Sequence, residues 1–114
     1  MSGGIMNRAQ SGTTATIANA GTVSNAVDFS YSDGGGFALP PAFTGTAMTF
    51  TVCNTRAGTF QQLMNAAGSA AVSMVVAAGK SYPLPVELEA WPYFQFVSGT
   101  AEGGARTIIV VRKG

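Results

Sequence analysis

Apolar and polar residues alternate with a period of two in the clearest stretches of the chain. Met48, Phe50 and Val52 fall on one side of an extended segment, with Thr49, Thr51 and Cys53 on the other, the pattern of a strand with one buried face. Phe94 and Phe96 repeat it against Tyr93, Gln95 and Val97. Near the C-terminus the alternation is lost: Ile108 and Val110 stand opposite Thr107, Ile109 and Val111. Strands covered on both faces read this way, so this one is expected to be central and covered, with an interface as the alternative.

The same reading predicts strands at Thr13–Ala18, Val23–Phe29, Gly36–Leu39, Ala47–Cys53, Phe60–Met64, Ala71–Ala77, Ser81–Leu84, Tyr93–Ser98 and Thr107–Arg112. Each is flanked by Gly, Pro, Asn or Asp. Gly, Thr, Ser and Val interrupt every window long enough for a helix, and no apolar stripe recurs at spacings of three and four. Many short, regularly spaced strands predict an all-β fold: an antiparallel two-sheet sandwich, jelly-roll-like, over residues 13–114. Its core is expected to hold Met48, Phe50, Val52, Phe94, Phe96 and Val110. Residues 1–12 are polar and Gly-rich, with Ile5 and Met6 as apolar anchors, and read as an extended N-terminal arm. Such an arm has too little apolar surface to fold on itself, so Ile5, Met6 and Arg8 are expected to contact a partner. Ser30–Gly36, with three successive glycines, reads as a loop.

Composition changes the picture at the surface. Charged residues make up 10% of the 114 residues, against about 25% in an ordinary globular protein. Ala, Gly, Ser and Thr supply nearly half the chain, so the exposed faces are small, neutral and rich in hydroxyls. A net charge of +1 offers little repulsion between copies and favours self-association or a homo-oligomer. The six cations are scattered from Arg8 to Lys113, which argues against nucleic acid as a partner. No stretch reaches the roughly 20 apolar residues of a membrane span, and the N-terminus lacks the apolar centre of a secretion signal. The expectation is a chain with no membrane partner, made in a cytoplasm.

Candidate chemistry is sparse. With no histidine and a single cysteine, Cys53, the chain can form neither a Ser-His-Asp arrangement, nor an internal disulfide, nor a typical zinc site, so no metal and no cofactor is expected. Lys80 and Lys113 read as solvated charges. Glu87 and Glu89 stand two apart near Trp91, but paired carboxylates serve glycoside hydrolysis only within a sugar cleft, and a solvated turn is the simpler reading. Gly34–Gly36 and Gly103–Gly104 are followed by neither a Lys-Ser/Thr pair nor a helix and read as turns rather than phosphate loops. No catalytic residue is assigned, and the chain is expected not to be an enzyme. Tyr31, Trp91 and Tyr93, with Tyr82, are the candidates for an aromatic platform of the kind that stacks on sugars, as in a carbohydrate-binding module.

Five segments together resemble one known family. They are Pro41-Ala-Phe-Thr-Gly-Thr-Ala-Met-Thr-Phe-Thr-Val52, Gly58-Thr-Phe-Gln61, Val76-Ala-Ala-Gly-Lys80, Tyr93-Phe-Gln-Phe-Val-Ser-Gly-Thr100 and Ala105-Arg-Thr-Ile-Ile-Val-Val-Arg112. They look like the small β-sandwich capsid decoration, or cement, proteins of tailed bacteriophages, over about Ala15 to Arg112. The resemblance implies a structural virion protein at the capsid surface, made in the host cytoplasm, with the major capsid protein as partner. A head-tail or tail component is the alternative within the same class.

Overall fold

The computed structural model describes residues 10–30, 32 and 34–113. Among these residues nine strands and one short helical turn follow in order: β1 (Gln10–Ile17), β2 (Val27–Asp28), β3 (Gly35–Ala38), β4 (Ala47–Cys53), β5 (Gln61–Gln62), β6 (Ser73–Val75), β7 (Ser81–Pro83), a 3-10 turn (Val86–Ala90), β8 (Tyr93–Ser98) and β9 (Arg106–Lys113). They form two antiparallel sheets. One has the order β1-β9-β3-β7; the other has β2-β8-β4-β5, with β6 also paired to β4. The chain is thus an all-β sandwich, as the short alternating strands indicate.

The alternation named the core. Met48, Phe50, Phe94, Phe96, Ile108 and Val110 are fully buried and Val52 nearly so. Five phenylalanines make its centre: Phe94 meets Phe29 edge-on at 5.4 Å and Phe96 at 5.2 Å, while Phe96 lies 5.0 Å from Phe37 and 5.6 Å from Phe50. Phe37 comes from one sheet and Phe50, Phe94 and Phe96 from the other, so this cluster joins the layers. Such edge and tilted contacts add to the stabilisation from burial alone.

The structure departs from the sequence pattern in four places. The first strand begins at Gln10, and Gln10, Ser11 and Gly12 pair with Lys113, Arg112 and Val111. The stretch Val23–Phe29 is broken into isolated bridges and a two-residue strand. There the Ser24 side chain stands in for backbone: its Oγ accepts the Phe96 N–H at 3.0 Å and donates to the Asn25 carbonyl at 2.8 Å. The segments Phe60–Met64 and Ala71–Ala77 shrink to Gln61–Gln62 and Ser73–Val75. Finally, β9 is central, between β1 and β3, but it is not covered: Ile109 is 55% exposed and Val111 38%. Loss of alternation here marks an apolar outer face open to solvent.

Candidate functional site

Loops cross each end of the sandwich, and the ends differ in chemistry. At the end where β8 finishes and β9 begins, Glu102 is 1% exposed. Its carboxylate accepts the Thr44 N–H at 2.9 Å, the Gly45 N–H at 3.1 Å, the Ser98 hydroxyl at 3.1 Å and Arg106 Nε at 2.9 Å. Local sequence makes this possible. Gly103 and Gly104 turn the chain so that Arg106 folds back on Glu102, and a Cβ on Gly45 would run into Ser98 Oγ, so only glycine lets that backbone approach. Burial pushes the Glu102 carboxyl up, but the hydrogen bonds from Thr44, Arg106 and Ser98 outweigh it and hold the group below its ordinary value of 4.5. A carboxylate held ionised and fully satisfied is a fastening for loops; it has no free lone pair aimed at a ligand.

The opposite end, where β8 begins, gathers exposed polar groups. Asp28 pairs with Tyr93 across β2 and β8, and its carboxylate accepts the Ser30 N–H at 2.9 Å and lies 3.5 Å from Arg56. The Ser30 hydrogen bond first, and Arg56 and Arg112 after it, hold Asp28 below its ordinary value of 3.8. Arg56 lies over the Tyr93 ring, 5.1 Å from its centre, a cation–π contact that occupies that face of the ring. Arg112 reaches from β9 across to the Asp28 carbonyl and ties the two sheets together.

Beside this cluster lies an open hollow of about 290 Å³ lined by Phe29, Ser30, Ser32, Glu89, Ala90, Trp91 and Pro92. Among the described residues it holds one aromatic candidate, Trp91, which is 37% exposed. Tyr93 is not in its lining and is engaged by Arg56. Tyr82 packs its ring on Phe37 at 5.6 Å and accepts the Ala77 N–H on its hydroxyl, so it is half-buried core rather than platform. Tyr31 lies outside the described residues, as do Ile5, Met6 and Arg8. The two glutamates of the 3-10 turn separate: Glu89 lines the Trp91 hollow, whereas Glu87 lines another with Met74 and Leu84. They do not converge as a carboxylate pair would. Cys53 is buried, with its thiol near Asn54 Oδ1 and Thr55 Oγ1 at 3.7 and 3.9 Å.

Sequence reasoning missed Glu102, and for β9 it preferred a covered strand over the interface alternative. An acid followed four residues later by an arginine across two glycines is a signal for Glu102, but two of its other partners, Thr44 and Gly45, lie 58 and 57 residues away in sequence.

No protein family and no curated protein matches the chain. Among solved structures it is similar to the SPBc2 prophage-derived protein YomS, with a TM-score of 0.57 at 11% identity, over 93% of this chain and 96% of that one. That likeness shows a shared fold along almost the whole of both chains. A structure described as Bacillus endospore appendages forming a family of disulfide-linked pili aligns over 92% of this chain and 87% of the other at 16% identity, with a TM-score of 0.41, too loose to weigh.

Proposed function

We propose that the chain is a structural virion protein that decorates the outer surface of an assembled capsid and stabilises the head by contact, without catalysis. The observation that carries this reading is the fold held in common, over 93% of this chain, with a prophage-derived protein, alongside the five segments that resemble capsid decoration proteins. The charge-poor surface supports it, since lattice binding is a sum of many short-range contacts. A protein that binds only the assembled shell stabilises it by RT ln(1 + [L]/Kd) per site, about 2.7 kcal/mol at a hundredfold excess over Kd. The major capsid protein is the partner, and Ile5, Met6 and Arg8 are the arm residues that would reach it. The test is to count copies on purified particles by mass spectrometry and to heat or osmotically shock particles lacking the protein. Abundant copies and earlier breakage are expected; absence from the particle, or unchanged particle stability, would overturn the cementing role.

One observation favours a second reading, glycan attachment: the Trp91 hollow joins an exposed indole to Ser30, Ser32 and Glu89, a combination suited to a sugar ring. Binding on a glycan array that disappears in Trp91→Ala would support it. An array with no signal would remove it.

A further inference from the structure

The outer face of the β1-β9-β3-β7 sheet has a shape as well as an apolar character. Ile109 and Val111 stand out along β9 as an exposed ridge. Beside the ridge, the outward residues of β3 and β7 are small, Gly36 and Ala38 paired with Pro83 and Ser81, and they leave a shallow trough of about 320 Å³ whose wall includes the ridge itself. A Cβ on Gly36 would press on the Tyr82 carbonyl at 2.9 Å, so packing within the sheet keeps the trough floor bare. On the other side, β1 presents Gly12, Thr14 and Thr16 in register with Val111, Ile109 and Thr107. Among the described residues facing outward on these four strands, the one charge is Lys113, at the strand end. The other sheet turns outward Thr49, Thr51, Gln95 and Val97, with Val75 exposed on its short strand β6 and Asp28, Arg56 and Tyr93 at its end.

We infer that this face is a homotypic interface whose occupant is the same face of a second copy. A ridge and a trough side by side on one surface are self-complementary: a two-fold axis parallel to the strands, lying between β9 and β3, seats each ridge in the other copy's trough. It also leaves the two sheets aligned, the common geometry for face-to-face packing. The axis leaves position along the strands unchanged, so the two Lys113 side chains meet at the same exposed rim, where solvent and salt screen their repulsion, and the net charge of +1 adds little at long range. Two long strands, β1 and β9, and two short ones, β3 and β7, at about 3.4 Å per residue and about 4.8 Å apart, give a footprint near 400 Å² per copy. That total of about 800 Å² belongs to weak, reversible association, which becomes effective where copies are held close together.

The inference concerns the isolated protein and does not rest on a capsid partner. Sedimentation velocity of the full chain from about 10 µM to about 1 mM should show a monomer passing to a dimer. Ile109→Lys should weaken that association about tenfold or more, with the thermal midpoint at low concentration unchanged because the side chain points to solvent. Ile109→Thr keeps the β-branched shape and gives the same readout should the lysine variant fold poorly. Thr49→Lys, on the other sheet, should change nothing. In a mixed-label sample, isotope-filtered NOEs should connect the Ile109 and Val111 methyls of one copy to Ala38 or Pro83 of the other. A monomer throughout the range, a dimer indifferent to both Ile109 substitutions, equal weakening by Thr49→Lys, or ridge NOEs to residues 1–9 instead would each overturn the inference, and none would bear on decoration of particles.

Discussion

Glu102 and Asp28 stand near opposite ends of strand β8, and the difference between them separates structure from candidate contact surface. Glu102 lies under its loops with four donors on its two oxygens, one of them the guanidinium of Arg106. Asp28 keeps its side chain 40% exposed, opposite an Arg56 that is 58% exposed. Both carboxyls are held below their ordinary values, yet the causes differ in what they cost to remove. A buried charge whose partner is deleted leaves other groups unpaired in a poor solvent, whereas an exposed one hands its partner to water. The Glu102 end is a closed fastening. The Asp28 end, with Trp91 beside it, is where the molecule has polar and aromatic groups to offer.

The sharpest way to break that comparison is Glu102→Ala. Leaving Arg106 and two loop N–H groups without an acceptor should cost about 3–5 kcal/mol, similar to emptying the core with Phe50→Ala. Urea denaturation of both variants checks this, and a loss below about 1 kcal/mol for Glu102→Ala would mean that water reaches the network.

The pH dependence should carry the same signature. Because Glu102 has a folded-state value below the ordinary 4.5, its contribution is complete above the unfolded value and is lost as the pH falls through the folded one. Stability measured from neutral to strongly acidic pH should therefore decline below about 4.5, and Glu102→Gln should flatten much of that decline while lowering the neutral plateau. A profile as steep in Glu102→Gln as in the unaltered chain would place the acid sensitivity elsewhere, with Asp28 as the next candidate.

At the open end the expected effects on stability are smaller. Trp91→Ala removes a side chain that already meets solvent and should cost about 1 kcal/mol, well short of Phe94→Ala two strand positions beyond Pro92. Thermal melts of the pair measure the contrast. Equal losses would make Trp91 a core residue and remove the glycan reading.

What the sequence made legible follows from the range of the interactions involved. The faces of β4 and β8 were readable because a period of two is a local property, and Phe50, Val52, Phe94 and Phe96 obey it. The same period could not say whether Ile109 and Val111 meet a second layer or solvent, since both give an unbroken apolar run. The division of Val23–Phe29 depends on a serine hydroxyl replacing a backbone group, which no hydrophobic pattern records. Glu102 was hidden because it is buried by Thr44 and Gly45, remote in sequence. Of the aromatic candidates among the described residues, Trp91 is the one that lines the hollow beside Asp28, because Tyr82 and Tyr93 are held by Phe37 and Arg56, partners visible only after folding.

The smallest effect is the most discriminating. Asp28→Asn removes the ion pair with Arg56 but keeps an oxygen able to accept the Ser30 N–H, so the turn at Ser30 survives. An ion pair this exposed is screened by solvent, and its loss should cost about half a kcal/mol or less at physiological salt. Arg56 would remain over Tyr93, a contact that does not need the carboxylate. The measurement is a denaturant midpoint for Asp28→Asn and the unaltered chain at low and at high salt. The difference between them should shrink as salt rises, since the Debye length falls from about 30 Å at 0.01 M to about 3 Å at 1 M. A loss of several kcal/mol that persists in high salt would show that Asp28 is a second buried fastening. The inter-sheet tie through Arg112, which reaches the backbone carbonyl of the same residue, would then depend on the side chain as well.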